Sequence, residues 1–330
     1  MRDRPQGEDV RVIVKRMERH QVALYVAGLA LGLAVGLAVP ELAHPAELAI
    51  HPVLAVLLYT TFLGIPLSRL GQAFTNWRFL GTLTVLNFVI VPAIVWLLSR
   101  IVAHDQVLLV GVLFVLLTPC IDYVIVFSGL AGGDEERLLA AAPLLMLAQM
   151  LLLPLYLWLF VGGEFVRSVE FWPFAEAFAL IIALPLIAAA LTQIFATRSR
   201  LGQRAESAAM GAMVPLMVLT LAVVVTSQVA AVGQQLSSLL LAAPVYAIFV
   251  VIMVPAGILA GRAAGLDVPG IRAVAFSGVT RNSLVVLPLV LALPPAYDLA
   301  PLVVVMQTLI ELVAMVVLVE LIPRIVPEQA

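Results

Sequence analysis

The chain is poor in cysteine, in histidine and in charge, and each shortage narrows what it can be. Cys120 is the single cysteine, so no internal disulfide forms, and one thiol with four scattered histidines builds no zinc-type cluster. Charged residues make up only 12% of the 330, about half of the ~25% usual in a soluble domain. Water is therefore the wrong solvent for most of this sequence. Metal motifs, nucleophile-base spacings and phosphate loops are also missing, which leaves an enzyme nothing to work with and implies no cofactor. The net charge of −2 says little about partners, and nothing points to nucleic acid.

What is there is apolar. Hydrophobic residues make up 63% of the chain and gather in runs of about 18 or more, the length that crosses a bilayer core. Met1 to His20 holds six basic and four acidic residues, and the run behind it, residues 22–39, is long for a signal-peptide core. It reads as a retained first span. Turn and charge breaks then mark spans near 22–39, 48–67, 79–98, 107–131 and 138–162, followed by 173–196, 206–232, 239–261, 271–293 and 299–323. The expected architecture is an all-α membrane protein of about ten transmembrane helices occupying residues 21–323, with tails at 1–20 and 324–330. Nothing outside the apolar runs is long enough to fold alone.

Lys and Arg test this division, because cytoplasmic loops hold an excess of them. Fifteen of the 18 fall on the side that carries both tails, against Arg100 and Arg167 on the other, while Arg281 lies inside a span. Both termini are expected in the cytoplasm and the chain in a bacterial plasma membrane. An odd number of spans per half inverts the second half relative to the first, so two inverted five-helix repeats are expected, over 22–162 and 173–323. Interruptions correspond between them: Thr118-Pro119-Cys120 breaks the fourth span and the stretch from Gly278 to Ser283 breaks the ninth. Matched broken helices point to a transport site, since unwound backbone is tolerated at membrane depth only where it is buried in protein or lines a cavity.

Arg281 is the sharpest single residue, for a guanidinium at membrane depth costs at least ~2.5–3.5 kcal/mol and needs a partner. Asp122, two residues beyond Cys120, is the obvious one, either as a fixed ion pair or as a pair linked to substrate or proton. Glu311, mid-span in the last helix beside Gln307 and Thr308, is a second acid: a proton carrier, or a neutral hydrogen-bonded core group. Thr118, Ser277, Thr280, Asn282 and Ser283 flank the breaks and are candidates to face a cavity. Cys120 on spacing alone reads as a small buried apolar residue. Gly28, Gly32 and Gly36 form a small-residue stripe suited to close helix packing.

The segment running from Thr118-Pro119-Cys120-Ile121-Asp122-Tyr123 through Ser128-Gly129 to Gly132-Gly133-Asp134 resembles the fourth-helix signature of the arsenite efflux permeases, in the bile acid:sodium symporter superfamily. The ten-span layout is similar over nearly the whole chain. The resemblance implies a panel domain and a core domain, with the broken fourth and ninth helices crossing at the substrate site. It also implies that Cys120 contacts arsenite and that efflux is driven by entering protons, with Asp122 or Glu311 taking the proton. Thr118, Asp122, Ser277, Thr280, Arg281 and Asn282 complete the expected substrate site, with no metal as resident ligand. Two departures stand out. Ser277 and Arg281 occupy positions where sodium-coupled relatives carry Glu and Gln, so a fixed cation takes sodium's electrostatic role; and the ninth helix lacks the acid that arsenite permeases carry there. Arsenous acid is mostly uncharged at neutral pH, whereas Arg281 beside helix N-termini suits an anion. The alternative is a sodium-independent carrier of an organic or inorganic anion, with Cys120 a passenger. In either case the partners are the lipid bilayer, a small solute and protons.

Overall fold

The computed structural model describes residues 17, 20–64, 76–121, 123–163, 165, 172, 176 and 178–328. Among the described residues, helix forms along most of each apolar run, because a backbone in lipid must satisfy its own hydrogen bonds. In chain order these are α1 (Gln21–Ala38), α2 (Ala43–Gly64), α3 (Trp77–Ser99), α4 (Gln106–Leu116), α5 (Tyr123–Leu130), α6 (Glu135–Val161), α7 (Leu184–Arg198), α8 (Arg200–Gly211), α9 (Met213–Ala263), α10 (Val268–Val279), α11 (Ser283–Leu291) and α12 (Ala300–Ile325).

Among the described residues, four helices are long and apolar enough to cross a bilayer, namely Trp77–Ser99, Glu135–Val161, Leu239–Ala263 and Pro295–Ile325. Two bent pairs, Ala23–Ala38 with Pro40–Ile50 and Arg200–Gly211 with Met213–Ser227, raise the number to six. Large apolar side chains point outward on these spans, Leu151 being 78% exposed and Val251 71%. That inverts the pattern of a water-soluble protein and identifies lipid as the solvent, so this is an integral membrane protein.

One expectation changes. A connection was expected at residues 233–238, between two spans, yet helix continues through them within α9. Gln234, Gln235, Ser237 and Ser238 are polar but none breaks a helix, and no proline stands there. The chain does bend just before α9, at Ala212.

The described residues fall into two compact units. The first, Met1–Gly64 with Phe178–Gln234, holds α1, α2, α7, α8 and the start of α9. Its helices approach closely where glycine removes a side chain: a Cβ on Gly28 would lie 2.9 Å from the Val218 carbonyl oxygen, and one on Gly32 2.9 Å from Ala222 Cα. The Thr226 hydroxyl uses that proximity to donate to the Gly32 carbonyl at 3.1 Å. The glycine stripe is thus internal packing at these two positions.

The second unit, Ile65–Ala177 with Gln235–Ala330, holds α3 to α6, the rest of α9, and α10 to α12. Its core collects the polar groups, with Asn87, Thr118, Ser277, Thr280, Arg281, Asn282, Ser283, Gln307, Thr308 and Glu311 all buried. Two tyrosines tie helices across it, Tyr156 donating to the Phe88 carbonyl at 2.6 Å and Tyr246 to the Val303 carbonyl at 3.0 Å. The first bond has a local origin. Pro92 has no N–H for the carbonyl four residues back, which is that of Phe88, so α3 widens into a π-helical turn at Leu86–Ile90 and the freed oxygen takes the tyrosine proton.

Candidate functional site

Both fourth and ninth segments lose helical geometry at their middles, and for different reasons. In the fourth, Pro119 removes a donor and disfavours helix at the residue before it, so α4 ends at Leu116. The Thr118 hydroxyl takes up the loose end, lying 3.0 Å from the carbonyls of both Phe114 and Val115. In the ninth there is no proline. Arg281 folds its own side chain back, donating from Nη2 to the Ser277 carbonyl at 2.6 Å and the Gly278 carbonyl at 2.8 Å. An arginine thus caps the last turn of α10, where the helix dipole favours a cation. Thr280, released into an extended conformation, donates its hydroxyl to Phe276 at 2.8 Å, and Asn282 caps α11 by accepting from the Val285 N–H at 3.3 Å.

The two breaks meet. Pro119 and Arg281 form an antiparallel bridge, with the Cys120 N–H donating to the Thr280 carbonyl at 3.2 Å and the Asn282 N–H to the Thr118 carbonyl at 2.9 Å. Main-chain bonds therefore tie the two breaks to each other directly. Arg281 is 0% exposed, and its Nη1 reaches across to the Leu116 carbonyl at 3.3 Å while Nη2 also meets Asn87 Oδ1 at 2.8 Å. The Phe249 ring completes the enclosure, 5.5 Å from Cζ. The guanidinium thus lies against the C-terminal carbonyls of α4 and α10, not against helix N-termini as the sequence led us to expect. Its charge is answered by two negative helix ends before any solute arrives.

Glu311 enters this centre from α12. Its Oε2 accepts the Arg281 backbone N–H at 2.8 Å and a hydrogen bond from Gln307 Nε2, while its Oε1 meets the Tyr123 hydroxyl. That hydroxyl also lies 3.0 Å from the Arg281 carbonyl. One residue along, Thr308 donates to Ser283 Oγ at 2.8 Å, joining α12 to the start of α11. Cys120 is buried in the fourth break, one residue beyond the bridge to Arg281. Asp122, the expected partner of Arg281, lies outside the described residues. Among the described residues, Arg281 Nε, Asn282 Nδ2 and Gln307 Oε1 are buried without a hydrogen-bond partner.

The structure brings together Cys120, Thr118, Thr280, Arg281, Asn282, Ser277 and Glu311. It occupies the hydroxyl protons of Thr118 and Thr280 with backbone carbonyls, and Ser277 Oγ accepts from Asn87 Nδ2 at 3.0 Å. Asn87 and Tyr123 were visible in the sequence only as polar residues within spans, and Phe249 not at all. The one available signal for Asn87 was Pro92 five residues on, which opens the turn that carries it. Elsewhere in this unit, Arg137 grips Asp267 through two bonds of 2.7 and 3.1 Å and Asp134 at 2.9 Å, beside an open surface cavity of about 280 Å³ lined by Trp77, Arg78 and Phe79. Asp267 is held below its ordinary carboxylate value by the Arg137 hydrogen bond, against the opposing effect of burial.

Broken helices crossing at membrane depth around buried, partly unsatisfied polar groups define a membrane transporter. The chain belongs to the Sodium Bile acid symporter family, whose model matches residues 51–239, more than half of the sequence. It is also similar to the Arsenical-resistance protein Acr3 of Corynebacterium glutamicum, being 23% identical over 150 residues that cover 43% of this chain. In that match the chain spans 40% of the relative's length. The family is one of transporters, not of enzymes.

Proposed function

We propose that this transporter is an efflux carrier for a thiol-reactive metalloid oxyacid of the arsenite type, exchanged for protons. The observation that carries the reading is the position of Cys120, a thiol inside the crossing, next to Arg281 and within a family relative of which confers arsenical resistance. A thiolate is a strong ligand for soft, thiophilic species. Thr118, Ser277, Thr280, Arg281 and Asn282 shape the rest of the site, and Asp122 or Glu311 takes the proton.

Ten spans in two inverted repeats, over 22–162 and 173–323 with cytoplasmic tails 1–20 and 324–330, belong to this proposal, as does a bacterial plasma-membrane location. Three correspondences support the repeats. The first unit takes the first two expected spans of each repeat and the second unit the last three. Asp105 and Asp267 each cap a helix that leads into a break. Tyr156 and Tyr246 each tie the third and fifth members of a repeat. Sodium independence is favoured because Arg281 already fills the carbonyl ends that a free cation would seek.

A second reading, a carrier for an organic or inorganic anion, draws on the unpartnered donors Arg281 Nε and Asn282 Nδ2. The test is arsenite uptake into everted vesicles with and without an imposed proton gradient, for the wild type and Cys120→Ser. Gradient-dependent uptake that Cys120→Ser abolishes supports the metalloid reading. Undiminished uptake by the variant refutes cysteine ligation, and none by a folded wild type favours the anion carrier.

A further inference from the structure

The hydrogen bonds described around Glu311 are better satisfied when it is protonated than when it is ionised. Tyr123 has one hydroxyl proton, yet its oxygen faces two acceptors, Glu311 Oε1 and the Arg281 carbonyl oxygen. A carboxylate and a carbonyl have no proton between them. With Glu311 ionised, the single tyrosine proton must be divided or one buried oxygen goes without. With a proton on Oε1, every bond has its donor: the acid donates to the Tyr123 oxygen, and Tyr123 donates to the Arg281 carbonyl. The other carboxyl oxygen, Oε2, meanwhile accepts from the Arg281 N–H and from Gln307.

Resting on the reading of the chain as a proton-coupled carrier, we propose that Glu311 is the acid that holds the coupling proton, and that Tyr123 is the positioning residue that transmits it to the break in the ninth segment. Glu311 and Tyr123 together clasp both sides of one residue, the N–H directly and the carbonyl through the phenol. That residue is Arg281, the point where the two broken segments are bridged. When the proton leaves, Tyr123 has to serve both the carboxylate and the carbonyl, and the clasp on the carbonyl loosens. A single proton on α12 is thereby read out as the order of the crossing.

The surroundings of Glu311 leave few other groups able to do this. Among the described residues, the titratable or charged groups facing it are Tyr123 from α5 and Arg281 from the ninth break. Neither α4 nor α11, both packed on α12, contains a titratable residue. Asp122, outside the described residues, is the one further acid that the experiment has to separate.

The experiment is pH-difference infrared spectroscopy on purified protein in lipid nanodiscs without any transported solute, comparing wild type, Glu311→Gln, Tyr123→Phe and Asp122→Asn. A protonated carboxylic acid has a carbonyl band that its carboxylate lacks. The wild type and Asp122→Asn are expected to show a pH-dependent band that Glu311→Gln abolishes, and Tyr123→Phe to move it to higher frequency, because the acid has lost its acceptor. Persistence of the full band in Glu311→Gln, or its loss in Asp122→Asn, overturns the assignment; an unmoved band in Tyr123→Phe overturns the relay. Glutamine can still donate to Tyr123 and should keep the fold. If Glu311→Gln does not fold, Glu311→Asp, which keeps an acid in a changed place, must shift the band. No cargo enters this measurement, so its failure is separate from a failure of arsenite transport.

Discussion

Consider Arg281→Ala. It deletes four donated hydrogen bonds, to Asn87 Oδ1 and to the carbonyls of Leu116, Ser277 and Gly278, at 2.6 to 3.3 Å. A buried acceptor stripped of its donor costs roughly 1–3 kcal/mol, so four set a ceiling of about 4–12 kcal/mol. Against this, the variant no longer has to strip a guanidinium of its water. The expected loss therefore lies at the low end of that range, about 4–5 kcal/mol. It is a large share of the ~5–15 kcal/mol that holds a typical domain. The space left behind keeps four oxygens and the Phe249 face directed at a missing cation, so free guanidinium ion should bind there. At a hundred times its dissociation constant, a ligand returns about 2.7 kcal/mol. The assay is thermal unfolding in nanodiscs, with millimolar guanidinium chloride against equal choline chloride. The variant should melt well below the wild type and recover in guanidinium alone. A variant as stable as the wild type, or one restored equally by choline, would refute the idea that these oxygens form a cation cage.

Two further outcomes follow from local geometry. A Cβ on Gly257 would lie 2.7 Å from Ala275 Cα, where no side-chain rotation can relieve it. Gly257→Ala should therefore destabilise by about 1–3 kcal/mol, although alanine normally favours a helix interior, and a rise in melting temperature would contradict the packing described. Asp267 has its carboxyl lowered from 3.8 by Arg137, so its contribution to stability is complete above that value and is lost as pH falls below it. Asp267→Asn should flatten the acid limb of the stability curve below about pH 4, and an unchanged limb would show that the pair contributes nothing there.

Much of this was legible in one dimension. Apolar run length marks helix whatever the tertiary arrangement, and Pro119 interrupts a helix by covalent structure alone. Arg281 announced itself because an ion in lipid is expensive. Its partners did not, for they are main-chain oxygens at helix ends, and carbonyls carry no residue identity. Glu311 was visible as an acid in a span, yet its place against the Arg281 peptide depends on how α12 packs on α5 and the ninth break, which spacing does not encode. Residues 233–238 show the reverse error. Polarity there resembled a loop, but polar side chains end a helix only when their backbone chemistry does, and these do not. Arg272, one of the fifteen cations assigned to the side of the tails, is 5% exposed and donates to the carbonyls of Ala131 and Val326, a burial no local pattern announces.

The bridge between Pro119 and Arg281 joins two distant stretches through amide groups that every residue but proline can supply. A junction made this way is indifferent to vocabulary: side chains at positions 118, 120, 280 and 282 can be exchanged while the knot itself stays tied. Such a scaffold separates what must persist for the fold, the amide geometry of the bridge, from the side chains that line it.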